Sequence, residues 1–125
     1  MKVIVAGGRD ITDKGLVFRL INKTIQRWNT EGIEPITEIV SGTARGVDTL
    51  GEAFAEENNI PVKRFPADWE NNGKAAGPIR NRQMADYADR AIIIMHKDSR
   101  GSKNMFETMK KLNKHGQVYI INKEA

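Results

Sequence analysis

Apolar positions in this 125-residue chain follow two alternating rhythms. Short apolar-rich runs at 2–6, 36–40, 61–65, 91–95 and 118–121 have the length and the turn-forming borders of strands. Between the first two, Val17, Leu20, Ile21, Thr24, Ile25 and Trp28 repeat at the helical spacing, which predicts a helix over 13–29. Asn29-Thr30-Glu31-Gly32 closes that helix, and Pro35 precedes the second strand. Val47, Leu50 and Phe54 mark the inner face of a second helix at 45–57, which Asn58-Asn59 ends. Pro78 suits the first position of a third helix, 78–88, and a fourth at 102–114 stops at Gly116. Ala91 to Met95 contains no polar residue, the mark of a central strand.

Five strands alternating with four helices specify an α/β fold: one domain over 1–125, a parallel sheet between two helical layers. Right-handed crossovers cover both faces only if the winding reverses once, which gives the strand order 3-2-1-4-5. Ligands of such sheets bind at the carboxyl ends of the strands, where the order reverses. The loops after strands one, two and four should therefore meet there. The stretch 66–77 is long for a connection without structure, and such loops are usually functional.

Composition narrows the chemistry. With no cysteine, disulfides, thiolate catalysis and cysteine-ligated zinc are excluded, and neither His96 nor His115 has a second ligand at metal spacing. The apolar run at 3–6 is too short for a signal peptide or a membrane span, so a cytosolic protein is expected. Net charge is +4, and 97–125 holds seven Lys or Arg against three Asp or Glu. Lys110, Lys111 and Lys114 read as a solvated helix face, or as an attraction for a polyanion.

The second strand runs into Ser41-Gly42-Thr43-Ala44-Arg45-Gly46-Val47-Asp48, a strand, tight turn and helix start. Helix N-termini present unpaired N–H groups and partial positive charge, so they accept anions. Gly42 and Gly46 permit close approach to the backbone, Ser41 and Thr43 add hydroxyls, and Arg45 adds a guanidinium fork. Gly7-Gly8-Arg9-Asp10 offers a second cradle after the first strand. Arg80 and Arg82 occupy a helix's first turn, where the dipole disfavours cations; an anion nearby, or Asp68 or Glu70, would offset this. Trp69 is placed for base stacking, a dimer contact or anchoring of its loop, and Trp28, Phe18, Phe54 and Phe106 for the core. His96, at the end of strand four, is a candidate acid–base group.

The Ser41 to Asp48 run resembles the Ser-Gly-x-Ala-Arg-Gly-Ile-Asp signature of the bacterial DNA-processing (Smf/DprA) proteins. Arg80-Asn81-Arg82 with Met84-Ala85 is similar to their Arg-Asn-Arg-x-Ile-Ala segment, and Gly101-Ser102 to their third Gly/Ser loop. Over most of the length the chain looks like the small YspA-like branch of the same SLOG superfamily, frequent in bacteria and phages. The residues that carry this are 6–10, 41–48 and 65–69, together with Gly73-Lys74-Ala75-Ala76-Gly77-Pro78-Ile79-Arg80-Asn81.

The resemblance implies a Rossmann-like domain that binds a nucleotide or nucleotide-derived ligand, and a homodimer. Its phosphate would lie between Ser41, Gly42, Thr43, Ala44, Arg45 and Gly46 on one side and Gly7, Gly8 and Arg9, with Asp10, on another, while Asp48 is either a helix N-terminal charge or the partner of a ribose or turn hydrogen bond. Gly101 and Ser102 would form a third wall, with Arg80 and Asn81 closing over the ligand or reaching it from a neighbouring subunit. A rival reading is hydrolysis or transfer at a nucleotide's glycosidic bond, as in the LOG phosphoribohydrolases, with Asp10, Asp48, Glu52 and Asp98 as the carboxylates. Those enzymes carry glutamates just after Pro-Gly-Gly-x-Gly-Thr, and here none follows Gly101-Ser102 until Glu107. A third reading, single-stranded DNA binding, rests on the basic surplus and is weakened by the few free aromatics.

Overall fold

The computed structural model describes residues 1–122. Strands β1 (Lys2–Gly7), β2 (Glu38–Ser41), β3 (Val62–Arg64), β4 (Arg90–Met95) and β5 (His115–Ile120) form one parallel sheet in the order β3-β2-β1-β4-β5. This is the expected α/β topology, with the reversal of winding at β1 and β4. Helices α1 (Lys14–Thr30) and α2 (Val47–Glu57) pack on one face, against Val3, Val5, Ile39, Ile92 and Ile94. The other face, Ile4, Ala6, Val40, Ala91, Ile93 and Met95, is covered by α4 (Ala76–Tyr87) and α5 (Arg100–Lys111). Because side chains alternate across a strand, a strand buried on both faces must be apolar at every position, as β4 is after Arg90. Among the described residues no helix is long and apolar enough to cross a membrane.

Several boundaries differ from the sequence expectation. The stretch 66–77 is partly helical: the Asp68 carboxylate accepts the Asn71 N–H at 3.2 Å and caps a single turn, α3 (Trp69–Asn72). A 3₁₀ turn, Gly73–Ala75, leads directly into α4, so Pro78 lies two residues inside the helix, where its missing N–H is still not needed. The last helix ends at Lys111 rather than near Gly116. Asn113, at φ +55°, takes the left-handed position that reverses the chain, and Gly116 is part of β5, with Phe106 against it. Phe106 itself is 37% exposed and is not a core residue.

The basic C-terminal segment also divides. Lys110 and Lys111 are exposed, whereas the Lys114 ammonium donates to the carbonyls of Ala85 (2.7 Å), Asp86 (3.1 Å) and Ala88 (2.8 Å). These lie at the end of α4, where carbonyls lack helical partners and the dipole favours a cation. Lys114 thus joins the entry of β5 to the end of α4. Replacing Lys114 by Met should destabilise the fold by about 1.5–3 kcal/mol, the range for hydrogen bonds from a charged donor. Urea denaturation of the two proteins measures this, and an unchanged midpoint would contradict it.

Candidate functional site

The glycine-rich loops meet as the winding rule requires, but most of their close approaches are to each other. The Gly8 N–H donates to the Ile94 carbonyl of β4 (3.0 Å), and the Gly8 carbonyl accepts the Val47 N–H of α2 (3.2 Å). Gly46 has φ +76°, and a Cβ there would collide with the Gly8 and Arg9 carbonyls. A Cβ on Gly7 would strike the Ile94 carbonyl, and one on Gly42 would lie 2.6 Å from Arg80 Nη1 and 2.8 Å from Asp48 Oδ2. These glycines therefore make room for protein, and Gly7, Gly8 and Gly42 line the hollows described below as well. Gly101 alone among the predicted glycines faces open space.

Several predicted donors are likewise occupied. Ser41 is fully buried; its hydroxyl donates to Glu52 (2.6 Å) and accepts the Thr43 N–H (3.1 Å). Thr43 holds the left-handed φ of +64°. The Ala44 N–H donates to Asp48 Oδ2 at 3.2 Å. Asn81, also buried, donates to the Gly101 carbonyl (3.2 Å) and Asn104 Oδ1 (2.9 Å), which fixes the start of α5. Ser102 Oγ, 4% exposed, accepts the Ser99 hydroxyl at 2.9 Å. Neither carboxylate suggested for the α4 arginines is used: Arg80 donates to the Gly42 carbonyl and lies near Asp48, and Arg82 pairs with Asp86 on the outside of α4 (3.0 Å).

A concavity of about 470 Å³ opens above the ends of β1 and β4, within the size range of small-molecule sites. It is lined by Gly7 to Asp10, Ala44, Asp48, Arg80, Asn81, His96 and the segment Asp98 to Ser102, on an apolar floor of Ala6, Met84 and Met105. Trp69, 51% exposed, stands at its border with the Arg9 guanidinium 5.9 Å from its ring centre. A second hollow of about 350 Å³ adjoins it and shares Arg9, Ala44, Trp69 and Arg80. Gly42, Thr43 and Arg45 line only this second hollow, and Gly46 and Ser41 line neither. Of the four carboxylates considered for glycosidic chemistry, Asp10, Asp48 and Asp98 reach the larger pocket. Glu52 instead binds Ser41 and, at 2.8 Å, Arg64.

Arg100, at the first position of α5, was not singled out from the sequence, although the dipole argument applied to Arg80 and Arg82 holds equally for it. His96 is oriented: its Nδ1 is 2.8 Å from the Ile121 carbonyl, which requires the proton on Nδ1, and its Nε2 is 3.6 Å from Asp10 Oδ1 at the pocket.

Burial perturbs two of these groups. Desolvation raises the Asp48 carboxyl to about 6, opposed by the Ala44 N–H, the Arg80 guanidinium and the Gly7 N–H. Desolvation also lowers Arg80, with Asp48 opposing and the neighbouring Arg9 charge adding to the fall. Arg9 and Arg80 are thus like charges held close together, an arrangement that an anion would relieve.

A doubly wound parallel sheet with a polar, arginine-bearing pocket at its switch point defines a Rossmann-like domain. Residues 1–71 match the model of the YAcAr family, described as the YspA, cpYpsA-related SLOG family, and the chain belongs to that family. It is 31% identical over 88 residues to the Gene 61 protein of Mycobacterium phage D29, covering 66% of each chain. It shares its fold with DNA processing protein A (DprA) from Streptococcus pneumoniae, with a TM-score of 0.70 and 21% identity. That likeness covers 94% of this chain and 49% of DprA, so the chain spans about half the length of its structural relative.

Two outcomes follow from this geometry. Gly46→Ala should cost at least about 2 kcal/mol, from left-handed strain and a backbone collision, whereas Gly101→Ala should change stability by less than about 1 kcal/mol. Denaturant titration separates them; equal effects would refute the loop–loop contact. The second concerns Asp48. Its folded value lies above the ordinary 3.8, so its stabilising contribution is complete below about pH 3.8 and is lost as pH rises through 6. Against Asp48→Asn, which does not titrate, the parent should lose about 2 kcal/mol between pH 4 and pH 7. A stability difference independent of pH would show that the carboxyl is not desolvated.

Proposed function

We propose that the protein binds a nucleotide or nucleotide-derived ligand in the cleft above β1 and β4. One observation carries this: Arg9, Arg80 and Arg100, from three separate segments, converge on one concavity bordered by a half-exposed tryptophan. Arginine forks suit phosphate, an exposed indole suits a nucleobase, and Met84 and Met105 supply an apolar floor. The site lies where open α/β sheets bind their ligands. The likeness to a protein named for DNA processing makes nucleic-acid components the class to test first.

Thermal denaturation against mono-, di- and cyclic nucleotides, adenosine diphosphate ribose and a single-stranded oligonucleotide tests the reading. A ligand at a hundred times its dissociation constant adds about 2.7 kcal/mol, a shift of roughly 10 °C for a domain of this size. Trp69 gives a second readout. The other tryptophan, Trp28, is 2% exposed, so stacking on Trp69 should quench the solvent-exposed part of the fluorescence. Trp69→Ala should weaken binding by about 1–3 kcal/mol and remove the quenching. Absence of a shift from every nucleotide would defeat the proposal, and a shift from the oligonucleotide alone, in low salt, would turn it to nucleic acid.

A further inference from the structure

The two adjoining hollows differ in charge. The larger is of mixed sign: Asp10, Asp48 and Asp98 line it together with Arg9, Arg80 and Arg100. The smaller is lined by Arg9, Arg45 and Arg80 and by no carboxylate. Carboxylates close to it are engaged elsewhere. Asp48 accepts the Ala44 N–H behind Gly42, Glu52 is held by Arg64 and Ser41, and Asp68 caps α3 through Asn71. Arg45 is exposed, and among the described residues it makes no hydrogen bond or ion pair. The cleft is therefore polarised, from a mixed, partly apolar end to a wholly cationic one, with Trp69 and Arg9 at the junction.

We infer that the smaller hollow is a phosphate-chain subsite, and that the ligand is a nucleoside diphosphate or longer, its nucleoside in the larger pocket and its phosphates against Arg45. This rests on the nucleotide reading and adds a direction to it. Asp10 would repel a phosphate placed in the larger pocket, whereas the other end is lined by three guanidiniums and no carboxylate. In the larger pocket the Asp10 carboxylate is an acceptor for a sugar hydroxyl or a base amino group. The ligand must pass Trp69 to span both hollows, which places an aromatic ring at the level of the nucleoside.

Inorganic pyrophosphate tests the subsite without any nucleoside. Its binding, followed by calorimetry or ³¹P line broadening, is compared in the parent, Arg45→Ala, Arg100→Ala and Arg82→Ala. Arg82 serves as the charge control, since it pairs with Asp86 away from both hollows. The expected result is a loss of about ten-fold or more for Arg45→Ala and less than two-fold for Arg82→Ala. No binding of pyrophosphate by the parent would overturn the inference. So would an Arg100→Ala loss as large as that of Arg45→Ala. Adenosine diphosphate separates the two proposals. Should it bind tightly and ignore Arg45→Ala, the direction is wrong and the nucleotide reading stands. Should it bind no better than pyrophosphate, the anion subsite stands and the nucleotide reading falls.

Discussion

Everything at the carboxyl edge of the sheet depends on the backbone of one residue, Gly8. Its N–H is bonded to β4 and its carbonyl to the first residue of α2. The second bond is possible because Gly46 has no Cβ and tolerates a left-handed φ. The first strand's exit is thereby pressed against the second strand's exit, and the pocket wall from Gly7 to Asp10 has a defined position. Tight turns at glycine are thus a packing device here before they are a binding device.

Polar groups of the cleft fall into two sets by burial. Ser41, Asp48, Asn81 and Ser102 are buried, and each is hydrogen-bonded within the protein. A buried polar group without a partner is costly, so these side chains hold loops and helix starts together. Arg9, Arg45, Arg100 and Trp69 are exposed around them and carry the charge and the aromatic surface that a ligand would meet. Arg80 belongs to both sets, since it anchors Gly42 while adding its charge to both hollows. A rigid polar underlayer beneath free cations preorganises the cleft, which reduces the ordering cost of binding.

The order of elements, the strand sequence 3-2-1-4-5 and the meeting of three loops at the switch point were legible in the chain itself. They follow from periodicity and from the handedness of crossovers, both local or general rules. Helix ends were less legible. Asn113 replaced the expected Gly116 because either residue can take a left-handed turn, and only the packing of β5 against Phe106 settles which one does. The turn at Trp69–Asn72 depends on a single side-chain cap by Asp68, a weak signal in a polar, glycine-containing segment.

The sequence by itself determined the fold class and the residues that would gather at one edge, because strand alternation and glycine placement act over short distances. Which of those residues would face a ligand was decided only by tertiary structure. Ser41 and Asp48 have the same chemistry as ligand-binding groups; a turn bond such as that from Ala44 to Asp48 is local, but nothing in the neighbourhood along the chain says that Glu52 will occupy Ser41 or that Arg80 will lie beside Asp48. Arg45 and Arg100 lie 55 positions apart, and their placement at opposite ends of one polarised cleft exists only once the sheet is wound. Hydrogen-bond partners and desolvation are properties of three-dimensional neighbours, and they separate the buried scaffold of this cleft from its exposed cations.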